Sequence, residues 1–249
     1  MPGILAVVVL YFPNQPVDRI VERFRNEVDE VMVVDNTNNN IGIAAALNLG
    51  LSRAINEGFD WLLTMDQDSV FEEGALTELR NVAFSTKDYV GIVSPFHFIK
   101  RSVKSATVEE VPLTMTSGNL LRVSAAKVAG PFEEKLFIDS VDNEYCLRLR
   151  KHGFKIVRVN RSILNHSLGE LNKNFLGSTI AHDPMRRYYI TRNMLYVMKT
   201  YFPRFFLFGS KELMKSFVLI LLVEDDKHAK IKSMFVGISD FLKGRYGSR

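Results

Sequence analysis

Trp61-Leu62-Leu63-Thr64-Met65-Asp66-Gln67-Asp68-Ser69 reads as a buried strand that ends in two carboxylates separated by one residue. At the carboxyl end of a strand, side-chain alternation lets Asp66 and Asp68 address one space beyond the sheet edge. That arrangement suits a hard divalent cation and the oxygens of a diphosphate. The same residues also suit capping: Asp68 or Ser69 could start a helix near Phe71. The surroundings decide between the two.

Upstream, Ile4 to Leu10 is an unbroken aliphatic run, as expected of a strand covered on both faces, and Tyr11-Phe12-Pro13-Asn14 ends it. Apolar residues at helical spacing from Val17 to Val28 are followed by a second strand, Val31 to Val34, that stops at Asp35-Asn36. A polar loop then leads through Asn40 and Gly42 into a helix whose stripe is Ala44, Leu47, Leu51 and Ile55, with Gly58 as its stop. Strand and helix alternate, which argues for an α/β architecture, a mostly parallel central sheet with helices on its faces and ligands at the carboxyl ends of the strands. Asp35 and Asp66 both lie at such ends. Downstream, the pattern predicts a helix over Gly74 to Phe84 and a strand over Val90 to Pro95. A polar excursion over Phe96 to Pro112 has the character of a lid. An edge strand around Ser117-Gly118-Asn119 and a short helix ended by Gly130-Pro131 follow.

The composition, 47% hydrophobic and 24% charged over 249 residues, is that of a soluble globular protein and excludes general disorder. A single cysteine, Cys146, excludes an intrachain disulfide and a cysteine-cluster metal site, and fits a reducing, cytoplasmic setting. Ile4 to Phe12 lacks a basic leader and is too short to span a bilayer. Net charge is +4 but uneven. Residues 184–249 hold 13 Lys and Arg against 5 Asp and Glu, so this part carries +8 and the rest −4. Its partner is expected to be anionic: no nucleic-acid reader motif is present, so an anionic membrane surface is the candidate, with a solvated basic helical face as the plain alternative. The chain is therefore divided into an α/β domain over 1–183 and a basic, aromatic-rich helical segment over 184–249.

Asp139 to Arg150 reads as a helix with acids crowded into its first turn and Gly153 just past its end. Carboxylates complement the positive end of a helix dipole, and one of them could equally take a proton from a substrate hydroxyl. Together with Leu10-Tyr11-Phe12-Pro13, Val33-Val34-Asp35-Asn36, Asn40-x-Gly42, Ala46-x-Asn48-x-Gly50 and Met65 to Ser69, these residues resemble the family 2 glycosyltransferases, which have a GT-A fold. Thr116-Ser117-Gly118, Phe137 to Arg148, His166 and Arg187-Tyr188-Tyr189-x-x-Arg192-Asn193 extend the likeness over nearly the whole chain. It is nearest to the bacterial rhamnosyltransferases.

What the resemblance implies is specific. Tyr11, Pro13 and Asp35 line a nucleoside pocket, Asn40, Gly42 and Asn48 pass near the nucleotide, and Asp66 approaches the ribose or the metal. Asp68 and His166 hold Mg²⁺ or Mn²⁺ against the diphosphate, and Arg187 and Arg192 close over the donor. Ser117 and Gly118 border the sugar or acceptor, with Asp139 and Glu144 nearby. Asp142 is the general base of a single inverting displacement, with Asp139 and Glu144 as the competing carboxylates. The donor so implied is dTDP-L-rhamnose, with a UDP-sugar as the alternative. The acceptor is a saccharide or polyprenyl-linked saccharide of the cell surface, reached from the inner face of the plasma membrane. A nucleotidyltransferase would need a basic, glycine-rich phosphate loop, which Tyr11 to Asn14 is not. An inert carbohydrate-binding module of the same fold is the non-enzymatic alternative. For the apolar C-terminal helices, an interfacial surface, a homodimer surface and packing on the catalytic domain remain open.

Overall fold

The computed structural model describes residues 3–98, 107–166, 171–174, 177–180 and 182–249. It divides into two compact units, residues 1–134 with 141–167, and residues 135–140 with 168–249.

The first unit carries strands β1 (Ile4–Leu10), β2 (Glu30–Asp35), β3 (Trp61–Asp66), β4 (Ser69–Phe71), β5 (Val90–Phe98), β6 (Val108–Glu110), β7 (Asn119–Arg122) and β8 (Lys155–His166). Its helices are α1 (Val17–Glu22), α2 (Ile43–Glu57), α3 (Ala75–Ser85), α4 (Val123–Ala129) and α5 (Val141–Lys151). All eight strands form one sheet in the order β2-β1-β3-β7-β5-β8-β4, with β6 on β8. The expected parallel character holds for β2-β1-β3 and for β5-β8, whereas β7, β4 and β6 run antiparallel to their neighbours, so the sheet is mixed.

Local chemistry explains the elements. Every residue of β1 is buried, as its unbroken aliphatic run requires. α2 begins after Gly42 (φ 85°) and ends at Gly58 in the left-handed region, where the Gly58 N–H donates to Ala54 O. It lies close on β1: a Cβ at Gly50 would come within 2.6 Å of Val7 Cβ. The core beneath Asp66 is built from Trp61, Leu63, Met65, Leu79, Leu120 and Leu164, each at most 2% exposed. Burying each such aliphatic side chain is worth about 1.5–3 kcal/mol.

Two expectations change, and the capping alternative at Ser69 falls away: Ser69 opens β4, and α3 starts only at Ala75 behind a left-handed Gly74. β7 is no edge strand but sits between β3 and β5, because Leu120 and Leu121 point to opposite faces and both are buried. The first helix stops at Glu22 instead of reaching Val28, and Asn26 takes a left-handed conformation (φ 65°) in the turns that follow. The core of the proposed lid, residues 99–106, lies outside the described residues.

The second unit holds the hairpin β9 (Leu171–Asn174) and β10 (Gly177–Ile180), followed by α6 (Pro184–Thr200), α7 (Phe206–Leu222) and α8 (Lys227–Leu242). α6 is capped by Asp183, whose Oδ1 accepts from Arg186 N at 2.8 Å, with Pro184 in its first turn. α6 and α8 approach so closely at Gly237 that a Cβ there would meet Tyr188 O at 2.8 Å. Among the described residues no helix is long and apolar enough to cross a membrane.

Candidate active site

The carboxyl ends of β1, β2 and β3 are in register. Leu10 pairs with Asp35 and Val9 with Asp66, which brings Tyr11, Asp35 and Asp66 to one sheet edge. Tyr11 is 52% exposed, Pro13 half-buried and Asp35 exposed. Asp35 Oδ1 accepts from Thr37 N at 2.8 Å, and the Thr37 hydrogen bonds hold this carboxyl below the usual carboxylate range. Gln67, a residue that sequence reading left without a role, ties this edge together. Its Oε1 accepts from Tyr11 N at 2.8 Å and its Nε2 donates to Tyr11 O at 2.9 Å. Only a side-chain amide can donate and accept in this paired way, which is why the residue between the two aspartates suits the turn.

The turn before β7 buttresses Asp66 from the other side. Ser117, buried, accepts from Asp66 N at 3.1 Å and donates to Ser69 Oγ at 2.8 Å, while Gly118 N donates to Thr64 O at 2.7 Å. His97, also missed from sequence, meets Ser117 O through Nε2 at 2.7 Å. Gly118 has φ 80°, and a Cβ there would lie 2.7 Å from Leu164 Cδ2 and 2.8 Å from Pro95 Cγ. Strain and overlap therefore coincide at this position. Gly118→Ala is expected to lower stability by about 2–4 kcal/mol and to weaken donor binding along with it, as read by urea unfolding and titration calorimetry. A variant as stable as the wild type would remove the close-packing argument.

Asn40 Oδ1 accepts from Gly42 N at 3.0 Å, shaping the entry to α2. Asn48 is buried and bonded within the protein: it accepts from Phe132 N at 2.7 Å and donates to Phe132 O at 3.0 Å and Glu134 Oε1 at 2.8 Å. It anchors the 132–134 loop. At the start of α5, Asp142 is half-buried and lines a small recess with Thr64, Thr114, Thr116, Tyr145 and Cys146. Thr64 and Thr116 lead directly into the Asp66 turn and the Ser117 turn, so the recess adjoins both. Glu144 is 3% exposed and pairs with Arg148 one helical turn on, at 2.5 Å. Cys146 is free and buried, and burial pushes its thiol up to about 12, as for a packing residue.

Three further residues belong to the second unit. Asp139 lies in a loop where Phe137, Asp139 and Ser140 all have φ near +60°. Its Oδ1 accepts from Arg186 at 3.3 Å, its Oδ2 is buried without a hydrogen bond, and burial raises its pKa. Arg187, 4% exposed, donates to Ser216 Oγ and to Glu224, which also accepts from Lys230 Nζ at 3.0 Å. Arg192, 1% exposed, donates to the carbonyls of Leu136 (3.2 Å) and Gly247 (2.9 Å) with the Tyr188 and Tyr189 rings about its guanidinium. Both guanidiniums are bonded inside their own unit.

Residues 14–124 match the model for Glycosyl transferase family 2. The dTDP-rhamnosyl transferase RfbF of Shigella flexneri is 25% identical over 98% of this chain and 97% of its own length. Both findings support a family 2 glycosyltransferase. In fold, the chain resembles S. aureus TarS 1–349, with a TM-score of 0.56 at 13% identity over 98% of this chain and 81% of that one. The same protein in complex with UDP-GlcNAc gives 0.55 at 15% identity with the same coverage. The GT-A fold expected from sequence is thus present.

GT-A transferases commonly use a divalent metal. Among the described residues, no three ligand-type side chains converge. A Mg²⁺-like ion does not need three: it binds through one or two carboxylates and takes its remaining ligands from water and substrate phosphate. The Asp66-Gln67-Asp68 turn fits that requirement, with Asp68 exposed at its tip. The backbone of β8 brings His166 into register with Ser69, next to Asp68 in sequence, though the His166 side chain lies outside the described residues.

Proposed function

We propose that this transferase moves L-rhamnose from dTDP-L-rhamnose to a hydroxyl of a saccharide or polyprenyl-linked saccharide, with inversion, at the cytoplasmic face of the membrane. The observation that carries the reading is the recess in which Asp142 stands beside Thr64 and Thr116, the residues that lead into the Asp66 and Ser117 turns. The donor is assigned by the likeness to a dTDP-rhamnosyl transferase over nearly the full length of both chains.

Tyr11, Pro13 and Asp35 bind the nucleoside, Asp35 accepting hydrogen bonds from base or ribose. Gln67 fixes the spacing between Tyr11 and the aspartate turn. Asp68, with His166, holds the divalent ion, which when bound neutralises charge on the departing diphosphate. Asp142 accepts the proton of the acceptor hydroxyl as that oxygen bonds to the anomeric carbon and the bond from this carbon to the diphosphate oxygen breaks. The proton ends on Asp142, the electron pair on the nucleoside diphosphate, and no sugar is attached to the enzyme.

Titration calorimetry of dTDP-rhamnose, UDP-glucose, UDP-N-acetylglucosamine and GDP-mannose, each with Mn²⁺ and with chelator, tests the donor. Metal-dependent preference for dTDP-rhamnose is expected; preference for another sugar nucleotide would overturn the donor, and binding of none would overturn the activity. In the same assay Asp68→Ala is expected to weaken metal-dependent binding by at least tenfold while chelator-insensitive binding stays the same. An unaltered metal response would remove Asp68 as a ligand.

A further inference from the structure

The second unit exposes an apolar surface that none of the residue roles assigned above uses. Of the twenty large apolar side chains left exposed among the described residues, eleven lie between Phe202 and Leu242. α7 is amphipathic in an inverted sense: it buries Gly209, Ser216 and Ile220, while Leu207, Met214, Val218 and Leu221 run along its outer side at helical spacing. On α8, Phe235, Ile238 and Leu242 form a second exposed row. The two helices are joined by four residues and so run back along each other. Between them lies a groove of about 250 Å³ lined by Leu213, Met214, Phe217, Ile231, Met234 and Phe235, among others.

Charge is distributed along this hairpin unequally. Exposed Asp225 and Asp226 sit at the turn, whereas the open end, where α7 begins and α8 ends, carries exposed Arg204, Lys211 and Lys243 among Phe206, Leu207 and Leu242. Leu207 is 80% exposed and Leu242 75%. Among the described residues no carboxylate pairs with Arg204, Lys211, Lys215 or Lys243. Lys211 falls one turn after Leu207, within the apolar stripe itself. A second copy docked about a two-fold axis on this stripe would face Lys211 and Lys215 with lysines, and the outer row of α7 offers no acid to meet them. An anionic lipid surface matches both features, because it presents phosphate above an apolar layer, and lysine stems can lie along the latter while their ammonium groups reach the former.

We propose that the open end of the α7–α8 hairpin docks in the interfacial layer of an anionic membrane. Leu207, Phe206 and Leu242 enter the acyl boundary, and Arg204, Lys211 and Lys243 lie at phosphate depth. The hairpin lies on the bilayer and does not cross it, consistent with the length and polarity of its helices. The proposal is independent of the donor sugar and of the roles given to Asp68 and Asp142.

The full chain is mixed with vesicles of phosphatidylcholine alone or with phosphatidylglycerol and sedimented, and its self-association is followed by analytical ultracentrifugation. Binding is expected only with phosphatidylglycerol and falls at least tenfold when salt is raised, since screening weakens surface charge attraction. K211E/K243E and, separately, L207Q/L242Q are each expected to lose at least tenfold in partitioning, with unfolding midpoints and nucleotide-sugar binding unchanged. Equal binding to both vesicle types, or to neither, would overturn the proposal. So would a concentration-dependent dimer that L207Q/L242Q dissolves, which would make a second copy the occupant.

Discussion

Asp142→Asn is expected to lower turnover by about three orders of magnitude, within the range typical of a lost general base, while sugar-nucleotide affinity changes less than threefold. The expectation rests on where the carboxylates stand. Glu144 is 3% exposed and held by Arg148, so its charge is already spent on structure. Asp142 is half-buried, one residue into α5, and lines the recess that adjoins the Asp66 and Ser117 turns. Asn keeps the shape and can still accept from Asn143 N, as Asp142 Oδ1 does at 2.7 Å, but it cannot take a proton from a hydroxyl. Initial rates at saturating donor, paired with calorimetry, separate the two effects. Glu144→Gln serves as the contrast: it should cost stability by breaking a buried pair and leave most of the turnover of the folded fraction. Wild-type turnover in Asp142→Asn would remove this residue as the base and leave Asp139 as the carboxylate to test.

The same residues show what sequence can and cannot carry. β1, β3 and α2 were legible because their signals are local: an unbroken aliphatic run, two aspartates at a strand end, a stripe closed by Gly58. The position of β7 was not, since sheet order depends on pairings between segments some 55 residues apart, such as Thr64 with Asn119. A cap at Ser69 was the plain alternative because capping chemistry is local, yet its pairing with His166 makes it a strand. Gln67 escaped notice because its partner is a backbone amide 56 residues away. Asn48, grouped by pattern with the nucleotide loop, has its amide occupied by Phe132 and Glu134. Motif position located the edge where chemistry is proposed. It did not say which polar side chains at that edge are already bonded to the protein.

Arg192 makes that distinction measurable. Replacing it with Met is expected to destabilise the protein by about 3 kcal/mol or more, because buried carbonyls lose charge-assisted partners and such losses cost about 1–3 kcal/mol each. Those carbonyls belong to Lys135, Leu136 and Gly247, and the first two open the loop in which Phe137, Asp139 and Ser140 take left-handed conformations. Non-glycine residues pay about 1 kcal/mol or more each for that backbone, so the loop needs external ties. Asn193 supplies the rest, donating to Leu136, Ile138 and Asp139 carbonyls at 2.6–3.1 Å. Arg192→Lys should rescue little, since a single ammonium cannot replace a planar fork that reaches two strands of backbone at once. Urea unfolding gives the stability, and donor titration on the folded protein gives the affinity. If Arg192→Met unfolded like the wild type but bound the sugar nucleotide a hundredfold more weakly, the guanidinium would belong to the donor after all, as its place in the Arg-Tyr-Tyr-x-x-Arg-Asn pattern first implied. The expected opposite, a large loss of stability with donor affinity kept in the folded fraction, would mean that this arginine acts by holding the Asp139 loop in shape.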